Sequence, residues 1–380
     1  MQQLLDRRQS FLLFGPRQTG KSTLLEALFA QLPAAQCLTY YFQLPSQREA
    51  IEQDPECIVR EVEAKRSRTP LFLYIDEIQK IPAVMDPLQF LLDHRRIVLA
   101  ATGSSARKMK RLRTNWLPGR VQLHFLPPLT WQETGFPLSR LGEILRYGML
   151  PGILSQTDFT QREGNLNAYT HLYLEEEIRA EAAVRNVPRF TQFLRLAALE
   201  SGGAPNFSKI GGRIGLSHTT IREYFQILED SLIIQRLPAF GQVRDAVFRT
   251  AKYYFFDLGV RNAAAQIGHG PGLLPLQQGV LFEHLMVLEL MARRSPRTQL
   301  FYWRHKQGDE VDMVLETGQQ RIAIEVKATA RPTLADTKGL AHFCKEYRPH
   351  AAYLVCQVAR AQRIGQILAI PWAELFQYLE

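Results

Sequence analysis

The chain has 380 residues, a length that predicts about two to four domains with apolar material for several cores. Hydrophobic residues make up 46% and charged residues 22%, with 24 glycines and 21 prolines, which excludes a disordered, collagenous or low-complexity chain. Lys and Arg total 46 against 37 Asp and Glu, and the resulting +9 favours polyanionic partners, nucleic acid first. No apolar run reaches the roughly 18 residues that cross a bilayer, and residues 1–10 are polar and mixed in charge. Neither a membrane span nor a secretory signal is expected, and the protein reads as cytoplasmic. Cys37, Cys57, Cys344 and Cys356 show no CxxC spacing, so neither a zinc site nor a disulfide framework is suggested.

Residues 11–14, Phe-Leu-Leu-Phe, read as a buried strand leading into Gly15-Pro16-Arg17-Gln18-Thr19-Gly20-Lys21-Ser22, a complete GxxxxGK[ST] motif. Apolar residues at helical spacing follow from Thr23 to Phe29, giving the strand, loop and helix order that a phosphate-binding loop requires. Gly15 and Gly20 let backbone N–H groups wrap a phosphate chain, and the helix start adds its positive dipole end. In that geometry Lys21 reaches the β and γ phosphates, Ser22 gives its hydroxyl to magnesium and Thr23 faces the α phosphate. A second apolar run, Leu71 to Ile75, ends in Asp76 and Glu77. Such a strand is buried on both faces of a parallel sheet, with its carboxyl end beside the phosphate loop. Asp76 is placed to hold magnesium through water, and Glu77 to orient and activate an attacking water, the arrangement of a hydrolase.

The Gly15-to-Ser22 loop and Ile75-Asp76-Glu77-Ile78-Gln79 resemble the AAA+ ATPases, specifically the prokaryotic group in which such an ATPase is fused to a C-terminal DUF4143 domain. The resemblance implies ATP and Mg2+ as cofactors. A third strand, Ile97 to Ala101, ends in Thr102-Gly103-Ser104-Ser105, similar to the polar sensor of the γ phosphate, with Ser104 or Ser105 holding the lytic water. Arg107, Lys108, Lys110, Arg111 and Arg113 crowd the next segment. Arg120 stands where AAA+ proteins send an arginine finger to a neighbouring subunit, which implies a homo-oligomer, a ring or an open spiral. A solvated basic helix and DNA contact by the cluster compete with that reading. Residues 127–133 and 147–152 resemble the family's passage into a helical lid.

From Asn206 the caps and spacing predict a short helix, a turn at Gly215 and a Ser217-capped second helix whose Ile221, Phe225 and Leu228 face inward. This looks like a winged helix, with the wing starting at Leu232 to Leu237 and His218, Thr219, Thr220 and Arg222 facing outward. Major-groove contact by Thr219, Thr220 and Arg222 is one reading, and a packing module or nucleotide-state reporter is the other.

The C-terminal segment opens on the aromatic run Tyr253-Tyr254-Phe255-Phe256 before Asp257 and Gly259, as the DUF4143 group does. An amphipathic helix carrying Glu283 precedes two strands, one with Asp312 and one with Glu325 and Lys327 two apart on one face. A helix Glu, a strand Asp and an ExK pair in this order look like the PD-(D/E)xK nuclease fold. That likeness implies a divalent metal on Glu283, Asp312 and Glu325, with Lys327 supporting the attacking water. A structural ion pair is the competing account, and nuclease activity is left open. Arg304, His305 and Lys306 would suit a phosphate path.

The expected architecture is α/β: an AAA+ P-loop ATPase at 1–138, a helical lid at 139–203, a winged helix-turn-helix at 204–248 and a C-terminal α/β nuclease-like DUF4143 domain at 249–380. The expected function is ATP-driven binding and remodelling or translocation of DNA, including branched DNA such as four-way junctions. The alternative is an ATP-gated regulatory switch that binds a protein partner.

Overall fold

The computed structural model describes residues 1–65, 67, 69–104, 117–174, 186–241 and 250–379. It divides into two compact units, Met1–Pro127 with Asp230–Ile233, and Pro128–Glu229 with Ile234–Glu380. Ser105 and the basic residues Arg107, Lys108, Lys110, Arg111 and Arg113 lie outside the described residues.

In the first unit, β1 (Phe11–Phe14), β2 (Cys37–Tyr41), β3 (Leu71–Asp76), β4 (Ile97–Gly103) and β5 (Gln122–Phe125) form one sheet in the order β2-β3-β4-β1-β5. Every pairing in it is parallel. β1, β3 and β4 are buried along their whole length. Leu12, Phe14, Leu73, Ile75, Leu99 and Ala101 fill the core on one face, and Phe11, Leu13, Phe72, Tyr74, Val98 and Ala100 the core on the other. Burial of both faces is why these strands read as unbroken apolar runs instead of alternating ones. β4 extends past Ala101 because Thr102 and Gly103 still pair with Leu13 and Phe14.

The second unit begins with a single helical turn, Trp131–Thr134, and goes on through helices Leu141–Tyr147, Pro151–Leu154, Phe159–Ala168 and Val187–Leu199. Helix Phe207–Ile214, a left-handed Gly215 and helix His218–Asp230 follow. Ile221, Tyr224, Phe225 and Leu228 are buried, and Phe190 and Phe193 meet the Tyr224 ring at 5.0 and 5.2 Å. The Arg189 guanidinium donates to the carbonyls of Ile214, at 2.8 Å, and Gly215, closing the open end of the first helix. β6 (Ile234–Leu237) then pairs antiparallel with β7 (Lys252–Phe255). The aromatic run thus completes a hairpin and takes no place in the larger C-terminal sheet. Asp257 caps helix Leu258–Ala265 through Val260 N–H at 3.0 Å and accepts from Met149 N–H at 2.6 Å.

That larger sheet has six strands: β8 (Thr298–Arg304), β9 (Glu310–Thr317), β10 (Gln320–Lys327), β11 (Ala351–Cys356), β12 (Gln362–Ile364) and β13 (Ile367–Pro371), in the order β12-β13-β11-β10-β9-β8. β8, β9 and β10 run antiparallel, whereas β10, β11 and β13 run parallel, with helix Lys338–Tyr347 as the crossover from β10 to β11. Ile324 and Val326 join the core that includes Leu285 of helix Leu273–Arg293, and Ala323 joins the core that includes Phe343 of the crossover helix. Period-two alternation on β10 therefore sorts its side chains between two helices.

Candidate functional site

The phosphate loop leaves the carboxyl end of β1 and enters helix Lys21–Phe29 through Gly20, whose φ of 90° lies in the left-handed region. A Cβ on Gly15 would sit 2.3 Å from the Leu126 carbonyl oxygen, so the loop can hug the neighbouring chain only with glycine there. Lys21 is buried, and its ammonium donates to the carbonyls of Gly15 at 2.9 Å and Pro16 at 2.7 Å, bracing the loop from inside. Ser22 Oγ donates to Asp76 Oδ1 at 2.7 Å. The hydroxyl and the carboxylate that would share one divalent ion are therefore already adjacent, although 54 residues separate them in sequence. Thr23 is exposed at the start of the helix.

Asp76 is surrounded by neutral donors. Thr102 Oγ1 and the Tyr74 hydroxyl donate to Oδ1 at 2.7 and 3.0 Å, and Gln43 Nε2 donates to Oδ2 at 3.0 Å. Burial, and then the Asp76 charge, push the Tyr74 phenol well up, which keeps it a donor. Glu77 has a φ of 60°, a left-handed conformation that costs a non-glycine residue about 1 kcal/mol or more. Its N–H is held by Thr102 Oγ1 at 2.9 Å, and its Oε2 accepts from Ser104 Oγ at 2.8 Å and from Gln79 Nε2. Gln79 also donates to Ser104 Oγ at 3.0 Å, so Glu77, Gln79 and Ser104 form a closed triangle. Thr102, Gln79, Tyr74 and Gln43 were not singled out in sequence. The signal for Thr102 and Gln79 was present, because each stands within three residues of an acid or a sensor serine at a strand end.

Arg120 binds both oxygens of Asp93, through Nε at 2.6 Å and Nη2 at 3.0 Å, at the solvent surface. It precedes β5, where Gln122 stands opposite Phe11 and donates to Ser10 O at 3.0 Å. Arg120 thus lies at the amino edge of the sheet, whereas the phosphate loop leaves the carboxyl edge. The fold does not bring it to the loop of its own chain.

On helix His218–Asp230, Thr219 and Arg222 are exposed. Thr220 is half-buried: its N–H donates to Ser217 Oγ at 3.1 Å and its hydroxyl lies 2.9 Å from the same oxygen, so much of its polarity goes to the cap. An open cavity of about 560 Å3 is bounded by Asn206 and Ser208, by His218, and by Arg304, His305 and Lys306 at the end of β8. Among the described residues no Asp or Glu lines it. The starts of both helices of the pair, with His218 as the one outward residue among them, therefore share a mouth with the basic run before β9, and Thr219, Thr220 and Arg222 are not among its described lining residues.

Glu283, Asp312, Glu325 and Lys327 are also gathered in the second unit. Ile324 stands opposite Met313, which sets Glu325 level with Asp312 on the adjoining strand. Asp312 Oδ2 accepts from Val326 N–H at 2.8 Å, and Lys327 Nζ contacts Glu325 Oε1 at 2.5 Å. Lys252, which sequence reasoning passed over, enters the same cluster. Its ammonium pairs with Glu283 Oε1 at 3.2 Å and with Glu310 Oε1, while the Tyr254 hydroxyl donates to that Glu283 oxygen at 2.9 Å. Residues 252 and 254 are two apart on a strand and share a face, the one local sign that both could serve one acid. Burial, with Glu283 and Glu325 alongside, holds the Asp312 carboxyl well above the usual range. Burial pushes Glu325 up to about 7, against the pull of Lys327. Lys252 is held above its ordinary value because Glu283, Asp312 and Glu310 outweigh its burial. Among the described residues no group of three or more His, Cys, Asp or Glu is arranged to hold a metal ion. The three acids read as metal ligands thus meet beside ammonium groups.

Comparison with known proteins assigns the regions. Residues 7–135 match the family model of an AAA domain, residues 138–270 a domain of unknown function (DUF8612), and residues 278–375 a domain of unknown function (DUF4143). The chain joins an AAA domain of P-loop α/β fold to a C-terminal DUF4143 domain. The uncharacterized proteins Mb2031c of Mycobacterium bovis and Rv2008c of Mycobacterium tuberculosis are each 27% identical over 352 residues, spanning 88% of this chain and 74% of theirs. Among solved structures, replication initiator DnaA bound to AMPPCP and single-stranded DNA is similar at 14% identity and a TM-score of 0.30, over 60% of this chain and 85% of its own. No helix among the described residues is long and apolar enough to cross a membrane.

Proposed function

We propose that the chain hydrolyses ATP and couples the cycle to binding and remodelling or translocating DNA. The observation that carries the hydrolytic half is the Glu77, Gln79 and Ser104 triangle standing beside the Ser22–Asp76 pair. The residues fit ATP with Mg2+: backbone N–H groups from Gly15 to Lys21 and the Lys21 ammonium would cradle the phosphates, and Ser22 and Asp76 would hold the ion. Bound Mg2+ supplies neutralisation of phosphate charge. Glu77 would take the proton of the attacking water, and Ser104 with Gln79 would fix the direction in which its carboxylate points. Arg120, remote from its own phosphate loop, could reach only a neighbour's nucleotide after leaving Asp93, which fits a ring-like homo-oligomer.

The DNA half rests on the basic cavity bounded by His218, Arg304 and Lys306, on exposed Thr219 and Arg222, and on the net charge of +9. The discriminating experiment measures ATP turnover without DNA and with single-stranded, duplex and four-way-junction DNA. Stimulation by DNA, strongest for the preferred structure and fading as salt rises, is the expected result. Slow turnover indifferent to every DNA would overturn this half and favour an ATP-gated switch acting on a protein.

A further inference from the structure

A metal centre built on Glu283, Asp312 and Glu325 would need carboxylate oxygens free to converge on one ion. One oxygen of each is engaged instead, while Glu325 Oε2 is buried without a hydrogen-bond partner among the described residues. Lys252 has only 7% of its side chain exposed, and its ammonium bonds Glu283 and Glu310 together. Lys327 occupies Glu325, and Asp312 is tied to the Val326 N–H. Arg304 Nε lies 3.6 Å from the other oxygen of Glu310. Lys252 cannot easily swing away. Its backbone pairs with Leu237 in the hairpin, and its ammonium lies 5.4 Å from the Tyr302 ring centroid. A dication at the same acids would meet that fixed positive charge in a poorly solvated place, and Mg2+ also demands about six oxygens near 2.1 Å.

We infer that Lys252 is the resident cation of the C-terminal unit: its ammonium takes the place among Glu283, Glu310 and Asp312 that a hard divalent ion would otherwise fill. Removal of the ammonium is therefore expected to open a divalent-ion site. This inference does not rest on the ATPase reading, since it concerns different residues and needs no nucleotide.

The test is Mn2+ titration of the full chain without nucleotide, read by the electron paramagnetic resonance signal of free Mn2+, for wild type, Lys252→Met and Lys252→Met with Asp312→Asn. Wild type is expected to take up no stoichiometric ion, Lys252→Met to bind one at least about tenfold more tightly, and the added Asp312→Asn to abolish the gain. Equal, Asp312-dependent binding by wild type and Lys252→Met would overturn the inference. So would a folded Lys252→Met, checked by circular dichroism, that gains nothing. Should Lys252→Met not fold, thermal melting of wild type and Asp312→Asn with and without Mn2+ decides the matter. An Mn2+-induced rise in Tm seen only in wild type refutes a resident ammonium, and no rise in either supports it.

Discussion

Two clusters of carboxylates in this chain are satisfied in opposite ways. Around Asp76 every named partner is neutral: the hydroxyls of Ser22, Thr102 and Tyr74 and the amide of Gln43. These donors orient the carboxylate without cancelling its charge, so a cation arriving with a nucleotide still meets a negative site. Around Glu283, Glu310 and Glu325 the partners include the ammonium groups of Lys252 and Lys327. There the compensating charge is covalently part of the protein. Acids in a suggestive order do not by themselves define a metal site, because the counter-charge that the chain itself supplies also counts.

The contrast can be broken most sharply at Glu77. Glu77→Gln keeps the shape but removes the base, so kcat is expected to fall about a thousandfold while nucleotide affinity stays near wild type. Steady-state turnover together with a fluorescent-nucleotide titration checks both halves, and normal turnover would sink the assignment. Next comes Lys21→Ala. Loss of the ammonium should weaken nucleotide binding about a hundredfold, because it removes both a phosphate contact and the brace on the Gly15 and Pro16 carbonyls. Unchanged affinity in the same titration would show that the backbone loop alone holds the phosphates.

A third prediction uses a buried acid that, among the described residues, has no ammonium hydrogen-bonded to it. Glu289 Oε1 accepts from Trp131 N–H at 2.7 Å, and burial pushes its pKa from 4.5 up to about 7. The folded state therefore holds this proton more tightly than the unfolded chain does. The resulting stabilisation is complete below about pH 4.5 and is lost as pH rises through about 7. Glu289→Gln stays neutral and keeps the acceptor, so its stability should decline less over that window and exceed wild type at pH 8 by up to about 3 kcal/mol. Urea denaturation of the full chain from pH 4.5 to 8 measures it, and parallel curves for the two proteins would refute the titration.

Much of the first unit was legible in sequence. A strand buried on both faces writes a continuous apolar run, and the phosphate loop is local, so its residues had to be adjacent. The donors to Asp76 were harder to see, since Thr102 is 26 residues away and Gln43 is 33, and only the parallel register of β2, β3 and β4 brings them level. In the second unit the 13-residue gap between Asp312 and Glu325 suggested neighbouring antiparallel strands, and the register of β9 and β10 pairs them so. Lys252 escaped notice because its partners lie 31 and 58 residues on, and a lysine opening an aromatic strand looks like an ordinary solvated end. The aromatic run was read with the C-terminal domain because its hairpin partner lies across an intervening segment, where short-range turn signals do not reach.

The smallest expected effect tests whether neutral donors merely satisfy Glu77 or also aim it. Ser104 Oγ gives Oε2 a 2.8 Å hydrogen bond and takes one at 3.0 Å from Gln79, which itself contacts Glu77. Ser104→Ala removes one of the two side-chain tethers among the described residues and leaves the backbone N–H of Glu77 on Thr102. Glu77 should then keep its left-handed backbone while its carboxylate samples more directions, lowering kcat about tenfold without changing nucleotide affinity. If turnover equals wild type, Gln79 alone aims the carboxylate, and Gln79→Ala should carry the loss instead. If nucleotide affinity falls with kcat, Ser104 acts on bound phosphate and not through Glu77, since a group that only aims the base contributes nothing to ground-state binding.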